Sequence, residues 1–232
     1  MYRALFLSLC LLLPAVADAV RVKRLTLAEL RAQADSIVIA TPISKVVRLE
    51  TNPDAVWTDY VIEIREVLAG NDSTGARTIS FAGGIYQGLD MGLLDLPTLE
   101  IEKTYLLILN TEQKWACPTV GWGQGIFEFV GGTDYSNARA LVSFDGEPLE
   151  MGPDGITRGS RVRVENDNLV DIPAQRPSMR LESDSGPIVT DYQGKEIAQP
   201  IQKAPEPAAR VADRAFASLQ DVRDLFSKAD QP

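Results

Sequence analysis

The spacing of apolar and polar positions changes several times along this chain, and each change marks an element. From Leu25 the sequence runs LTLAELRAQA. Leu27, Leu30 and Ala34 recur at helical spacing, which predicts a helix from Leu27 to about Ala34 with that face on a sheet. Thr26 stands three residues before Glu29, the arrangement of a capping box, and Leu25 is placed to staple onto Leu30. The composition then changes. Ser36 to Leu49 (SIVIATPISKVVRL) is rich in β-branched residues and predicts a long strand. It is bent at Pro42, which lacks an amide donor and belongs at a bulge or an edge.

After the polar loop ETNPDA, Trp57 to Leu68 alternates, with Tyr60, Ile62 and Ile64 on one side and Glu63 and Arg65 on the other. The turn Gly70-Asn71-Asp72-Ser73 leads to a third strand, Arg77 to Phe81. A glycine-rich excursion from Gly83 to Ile101 is too long for a hairpin and is a candidate functional loop. Tyr105 to Leu109 (YLLIL) is apolar throughout and predicts a central strand. Val120 to Val130 (VGWGQGIFEFV) predicts a fifth. Its glycines 121, 123 and 125 then share one strand face, allowing curvature or close approach. Trp122 lies on the other face, where its size favours the core over an exposed contact.

Beyond Gly131-Gly132 a smaller β appendage is expected: Ala140 to Phe144, a turn at Asp145-Gly146, and Arg161 to Glu165. Residues 173–207 hold six of the chain's 14 prolines without apolar periodicity and read as a linker or wrap. SLQDVRDLFSKA closes the chain as a helix, with Ser218 and Asp221 repeating the capping logic and Leu219, Val222 and Phe226 on one face. The expected organisation is therefore a leader over 1–19, a barrel domain over 20–132, the appendage over 133–172, the proline-rich stretch over 173–210 and a helical end over 211–232. The fold class is mainly β: a five-stranded OB-like Greek-key barrel with a short N-terminal helix, a small β appendage and a C-terminal helix.

The first residues bear on location. Arg3 precedes the apolar run ALFLSLCLLLPAVA and an Ala17-Asp18-Ala19 end, the pattern of a secretory signal cut after Ala19. That run is shorter than the ~20 residues a membrane-crossing helix needs. Export to a periplasm or the extracellular space is expected, with no membrane anchor once the signal is cut. Removing Arg3 and Asp18 together leaves the formal charge at −9, which argues against nucleic acid and anionic membranes as partners. Cys10 leaves with the signal, so Cys117 has no partner for an internal disulfide and reads as a small buried hydrophobe.

The chain has no histidine. That removes Ser-His-Asp and Cys-His nucleophiles and His-ligated zinc, and one mature cysteine builds no thiolate cage. SDSGPIV around Ser185 looks like the nucleophile loop GDSGGP of chymotrypsin-type proteases, but it lacks a glycine and a base. The glycine run at 121–125 has no helix after it, unlike a phosphate cradle. Asp90 and Asp95, or Glu165, Asp167 and Asp171, lack the spacing of a calcium loop. No enzyme activity, cofactor or metal is expected; a carboxylate pair that meets only in space is the enzymatic alternative left open.

LTLAELRAQADSIVIATPISKV, EIREVLAGND, TISFAGG, YLLIL and VGWGQGIFEF together resemble a family of secreted bacterial proteins of the netrin-like fold, that of tissue inhibitors of metalloproteinases. The likeness covers about residues 25–130. It implies an OB-type barrel and a protein partner, with a metalloprotease the partner implied by members associated with matrixin-like proteases. Such sequences usually place glycine where Glu102 stands here. The animal inhibitors chelate zinc through an N-terminal cysteine, whereas this mature chain is expected to begin Val20-Arg21, so no inhibitory residue carries over. The expected function is an exported, non-enzymatic binding module. Tyr86, Leu89 and Met91 are candidate interface anchors in the long loop, joined by Trp115 and Trp122. The alternative is a cell-wall or carbohydrate binder stacking sugars on Trp57, Trp115 or Trp122.

Overall fold

The computed structural model describes residues 22–51, 54–91, 96–111, 116–166, 168–172 and 214–227. The expected signal peptide, the proline-rich stretch with Ser185, and Trp115 lie outside the described residues. Helix α1 (Leu27–Ala32) starts as its sequence predicts: the Glu29 amide donates to Thr26 Oγ1 at 3.2 Å and the Thr26 amide donates to Glu29 Oε2 at 2.8 Å. It ends two residues earlier than its apolar spacing predicts. The amides of Gln33 and Ala34 turn back to Leu30 O and Arg31 O, a tightened last turn, and the Asp35 amide reaches Leu109 O on the sheet.

Strand β1 (Ser36–Thr51) pairs antiparallel with β2 (Asp54–Gly70), which pairs with β3 (Gly75–Ala82). The β1–β2 register slips at three places, one of them between Pro42 and Ser44, where the proline predicts a bulge. The long loop carries a minute hairpin, β4 (Ile85–Tyr86) and β5 (Leu89–Asp90). Strand β6 (Tyr105–Leu109) pairs with the first five residues of β1, and β7 (Ile126–Val130) lies beside β6. Strand β8 (Ala140–Ser143), expected in the appendage, is hydrogen-bonded to β7 as the sixth strand of the main sheet. The strand order is β3-β2-β1-β6-β7-β8. Two hairpins follow, β9 (Leu149–Gly152) with β10 (Gly155–Arg158), and β11 (Val162–Glu165) with β12 (Asn168–Asp171).

The sheet is covered on both faces at its centre. Ile37, Ile39, Leu106, Ile108 and Phe127 face a layer made by Leu30 and by Val222 and Phe226 of helix α2 (Leu219–Ser227). Their neighbours Val38, Ala40, Leu107 and Leu109 face the opposite way, onto Tyr60, Ile62, Ile79 and Phe81 from the curling β2 and β3. A strand buried on both faces has no polar side to show, which is why β6 reads as an unbroken apolar run. Helix α2 is fastened by charge as well as by packing. Arg223 forks onto both carboxylate oxygens of Glu66 at 2.8 and 2.7 Å, and Arg31 donates to the terminal carbonyls of Leu225 and Phe226.

The inner layer also holds the far end of the long loop. The Leu99 and Glu100 amides donate to the hydroxyls of Tyr60 and Tyr105 at 3.3 and 3.0 Å. Burial pushes the Tyr105 hydroxyl up to about 12. Glu102 adopts φ 70°, the left-handed conformation that favours glycine, and its amide donates to Pro42 O across the bulge.

Candidate functional site

The expected fifth strand is cut in two, and the cut makes the site. Ile108 donates its amide to Gly125 O and accepts from the Val120 amide, while the Gly125 amide closes onto Val120 O at 3.1 Å. Val120 and Gly125 thus sit side by side against one residue of β6, and the four residues between them are expelled from the ladder as a loop. The glycines of 121–125 therefore do not line a strand face. Gly121 and Gly123 have φ of 69° and 93°, and a Cβ on Gly123 would stand 2.7 Å from the Pro97 ring. Trp122 between them is also left-handed, at φ 58°. Its indole is 46% exposed instead of joining the core. The alternation that suggests a buried Trp122 is real in the sequence, but the backbone there is not extended.

The loop is anchored by its last residue. The Gln124 side chain accepts the Leu25 amide at 2.8 Å and donates to Lys23 O at 2.9 Å, so it holds the segment before α1 as a neighbouring strand would. Arg24, placed between those contacts, reaches Glu147 Oε2 through Nη2 at 2.7 Å. Arg158 approaches from β10: its Nη2 donates to Gln124 O at 2.8 Å and its guanidinium lies over the Phe127 ring, 5.3 Å from the centroid. Only 6% of the Arg158 side chain is exposed, Glu147 stays 3.7 Å from its Nη1, and its buried Nε has no hydrogen-bond acceptor. Burial pulls this guanidinium below the usual arginine value, against the attraction of Glu147.

These groups enclose a cleft of about 700 Å³, bounded by the N-terminal segment, the expelled loop, the turn after β8 and the start of the second hairpin pair. Trp122 and Phe144, 46% and 48% exposed, are the two aromatic side chains exposed among the described residues, and both line it. A smaller cavity of about 240 Å³ lies on the other side of Trp122 and reaches Cys117. The thiol is buried, 3.0 Å from Thr119 Oγ1, and burial pushes it up, away from the reactive thiolate.

The sequence candidates do not converge on one place. Tyr86 and Leu89 sit on the β4–β5 hairpin and Met91 directly follows it, the first half-buried and the other two exposed, and none of them lines the cleft. Trp57 faces away on β2 with Arg48 stacked 5.9 Å from its ring centroid. Arg24, Phe144, Glu147, Arg158 and Arg161 were not singled out from the sequence. Single charges and a phenylalanine spread over more than a hundred positions carry no local signal, although Phe144 directly precedes the predicted Asp145-Gly146 turn. Among the described residues no cluster of metal-ligating side chains occurs and no helix is long and apolar enough to cross a membrane. Compared with protein-family models, curated proteins and solved structures, the chain finds no match.

Proposed function

We propose that this is an exported, non-enzymatic binding module that holds a protein partner at the cleft of Trp122, Phe144 and Arg158. The observation that carries the reading is the expelled loop. It keeps a tryptophan in a backbone conformation that β-strand residues avoid and exposes it beside the other exposed aromatic ring, above a buried cation with an unanswered donor. Exposed apolar rings and unpaired buried polar groups are costly to a free protein and suit a site that a partner completes. The absence of histidine and the signal-like leader support the non-enzymatic and exported parts of the reading.

The scaffold supports an OB-type barrel left open between β3 and β7. The strands run β3-β2-β1-β6-β7, and the Ala82 amide bonds to Ala116 O, tying the end of β3 to the segment ahead of β7. The netrin-like resemblance makes a metalloprotease the partner to look for. A second reading, carbohydrate binding, is favoured by the exposed Trp122 alone and leaves the cleft's charges without a role.

The test is capture of partners from the producing organism's envelope and culture fluid by the tagged protein and by Trp122→Ala and Phe144→Ala, compared by mass spectrometry. Loss of the same captured protein in both variants is expected. Capture that both variants retain would move the interface elsewhere, with the β4–β5 hairpin next in line. Binding of wall polysaccharide with quenching that Trp122→Ala abolishes would establish the carbohydrate reading instead.

A further inference from the structure

We infer that the cleft takes a short acidic peptide segment in which one carboxylate lies next to an aromatic or large apolar side chain. The carboxylate engages Arg24 and Arg161, and the apolar group packs against Trp122 and Phe144. This rests on the cleft being the binding site.

The first argument is charge. The chain carries −9 overall, yet the cleft is lined by Arg24, Arg158 and Arg161 against Asp145 and Glu147, a local excess of one positive charge. That excess matches one carboxylate better than a phosphate, which carries close to two negative charges near neutral pH. A neutral glycan would leave it unanswered. Glu147 cannot satisfy all three cations: it takes one hydrogen bond from Arg24 and stands 3.7 Å from Arg158. Arg161 makes no ion pair among the described residues.

The second argument is reach. The Arg24 side chain is 63% exposed and donates once to Glu147, so a guanidinium with five N–H donors keeps most of them for an incoming carboxylate. Arg158 plays a different part. Buried under the loop, it holds Trp122 in place through Gln124 O and adds a fixed positive charge to the floor, where low dielectric strengthens its pull. It is a positioning residue and need not touch the ligand.

The third argument is size. About 700 Å³ is the volume of a small-ligand site, enough for two or three side chains and too small for a folded domain. A segment entering it must come from a loop or a chain end, and its apolar side chain meets the only exposed aromatic pair among the described residues.

The experiment is calorimetric titration of the purified full protein with the blocked peptide Ac-Gly-Phe-Glu-Phe-Gly-amide and with its twin carrying Gln for Glu. The acidic peptide is expected to bind about tenfold or more tightly than the twin, the range for one charged hydrogen-bonded contact. Arg161→Gln should remove that preference without changing the unfolding midpoint, since Arg161 makes no structural ion pair. Equal affinity for the two peptides, or a preference that survives both Arg161→Gln and Arg24→Gln, overturns the inference. Binding of a uronic-acid trisaccharide in place of both peptides, abolished by Trp122→Ala, overturns the peptide class and leaves the cleft as the site. Failure of every probe, with partner capture unchanged by Trp122→Ala, overturns the cleft reading as well.

Discussion

From Ser36 to Pro42 strand β1 is buried at every residue, whereas from Ile43 to Thr51 the same strand is exposed at every residue but Val47. Both halves are rich in β-branched and aliphatic side chains, and both pair with β2 in one continuous hairpin. The difference lies in what else is present. The first half also pairs with β6 and is covered by Leu30, Val222 and Phe226 on one face and by the curled β2–β3 layer on the other. The second half extends past the bulge at Pro42, where Val46 is 62% and Ile43 49% exposed. Apolar content prepares a strand for burial, but only neighbouring elements supply it.

The strongest way to break this contrast is to compare substitutions in the two regions. Phe226→Ala empties a fully buried site in the core layer that includes Leu30, Ile37 and Ile39, and should cost about 3–5 kcal/mol in urea unfolding, while Val46→Ala should stay within about 0.5 kcal/mol. Similar costs at the two positions would mean that the outer half of β1 is covered in solution. Next comes the expelled loop. Gly123→Ala places a Cβ against the Pro97 ring on a left-handed backbone and should cost about 1–3 kcal/mol, which would separate a fixed loop from a loose one.

A smaller effect tests the cap of α1. The Lys23 ammonium, followed by the Thr26 amide and hydroxyl, holds the Glu29 carboxyl down at about 2. A carboxylate whose folded value lies below its unfolded one stabilises the fold above the ordinary carboxylate range and ceases to do so as pH falls through the folded value. The gap in thermal midpoint between the parent protein and Glu29→Gln should therefore be present at neutral pH and close between about pH 4.5 and 2. A gap that persists at pH 2 would assign the effect to packing. The smallest expected change has the opposite sign. Trp122→Gly relieves a left-handed backbone and should leave stability unchanged or raise it by up to about 1 kcal/mol, while ligand binding is lost. Destabilisation by that change would make the indole part of the core after all.

The elements that were legible in the sequence share one property: their cause is local. Thr26 and Glu29 meet because they are three residues apart, Ser218 and Asp221 repeat the arrangement, and Leu219, Val222 and Phe226 fall on one helical face whatever they pack against. Pro42 disturbs a ladder wherever it stands, and the YLLIL run has no polar residue to turn outward. The expelled loop was not legible because its cause is distant. The GWGQ stretch fits a strand by alternation, and it leaves the ladder because Val120 and Gly125 both bond to Ile108. The membership of β8 in the main sheet was hidden in the same way, since Gly131-Gly132 marks a turn without saying that the chain returns to pair with β7.

The sequence alone thus determined the helix caps, the strands with their bend, the doubly buried centre and the exclusion of histidine chemistry, because each follows from residue type and short-range spacing. Only the tertiary structure decided that Trp122 is presented to solvent and that Arg24, Phe144, Glu147 and Arg158 surround it. With Trp122 those side chains come from four separate segments, and nothing in the segments' own neighbourhoods along the chain records which others the folded backbone will bring beside them.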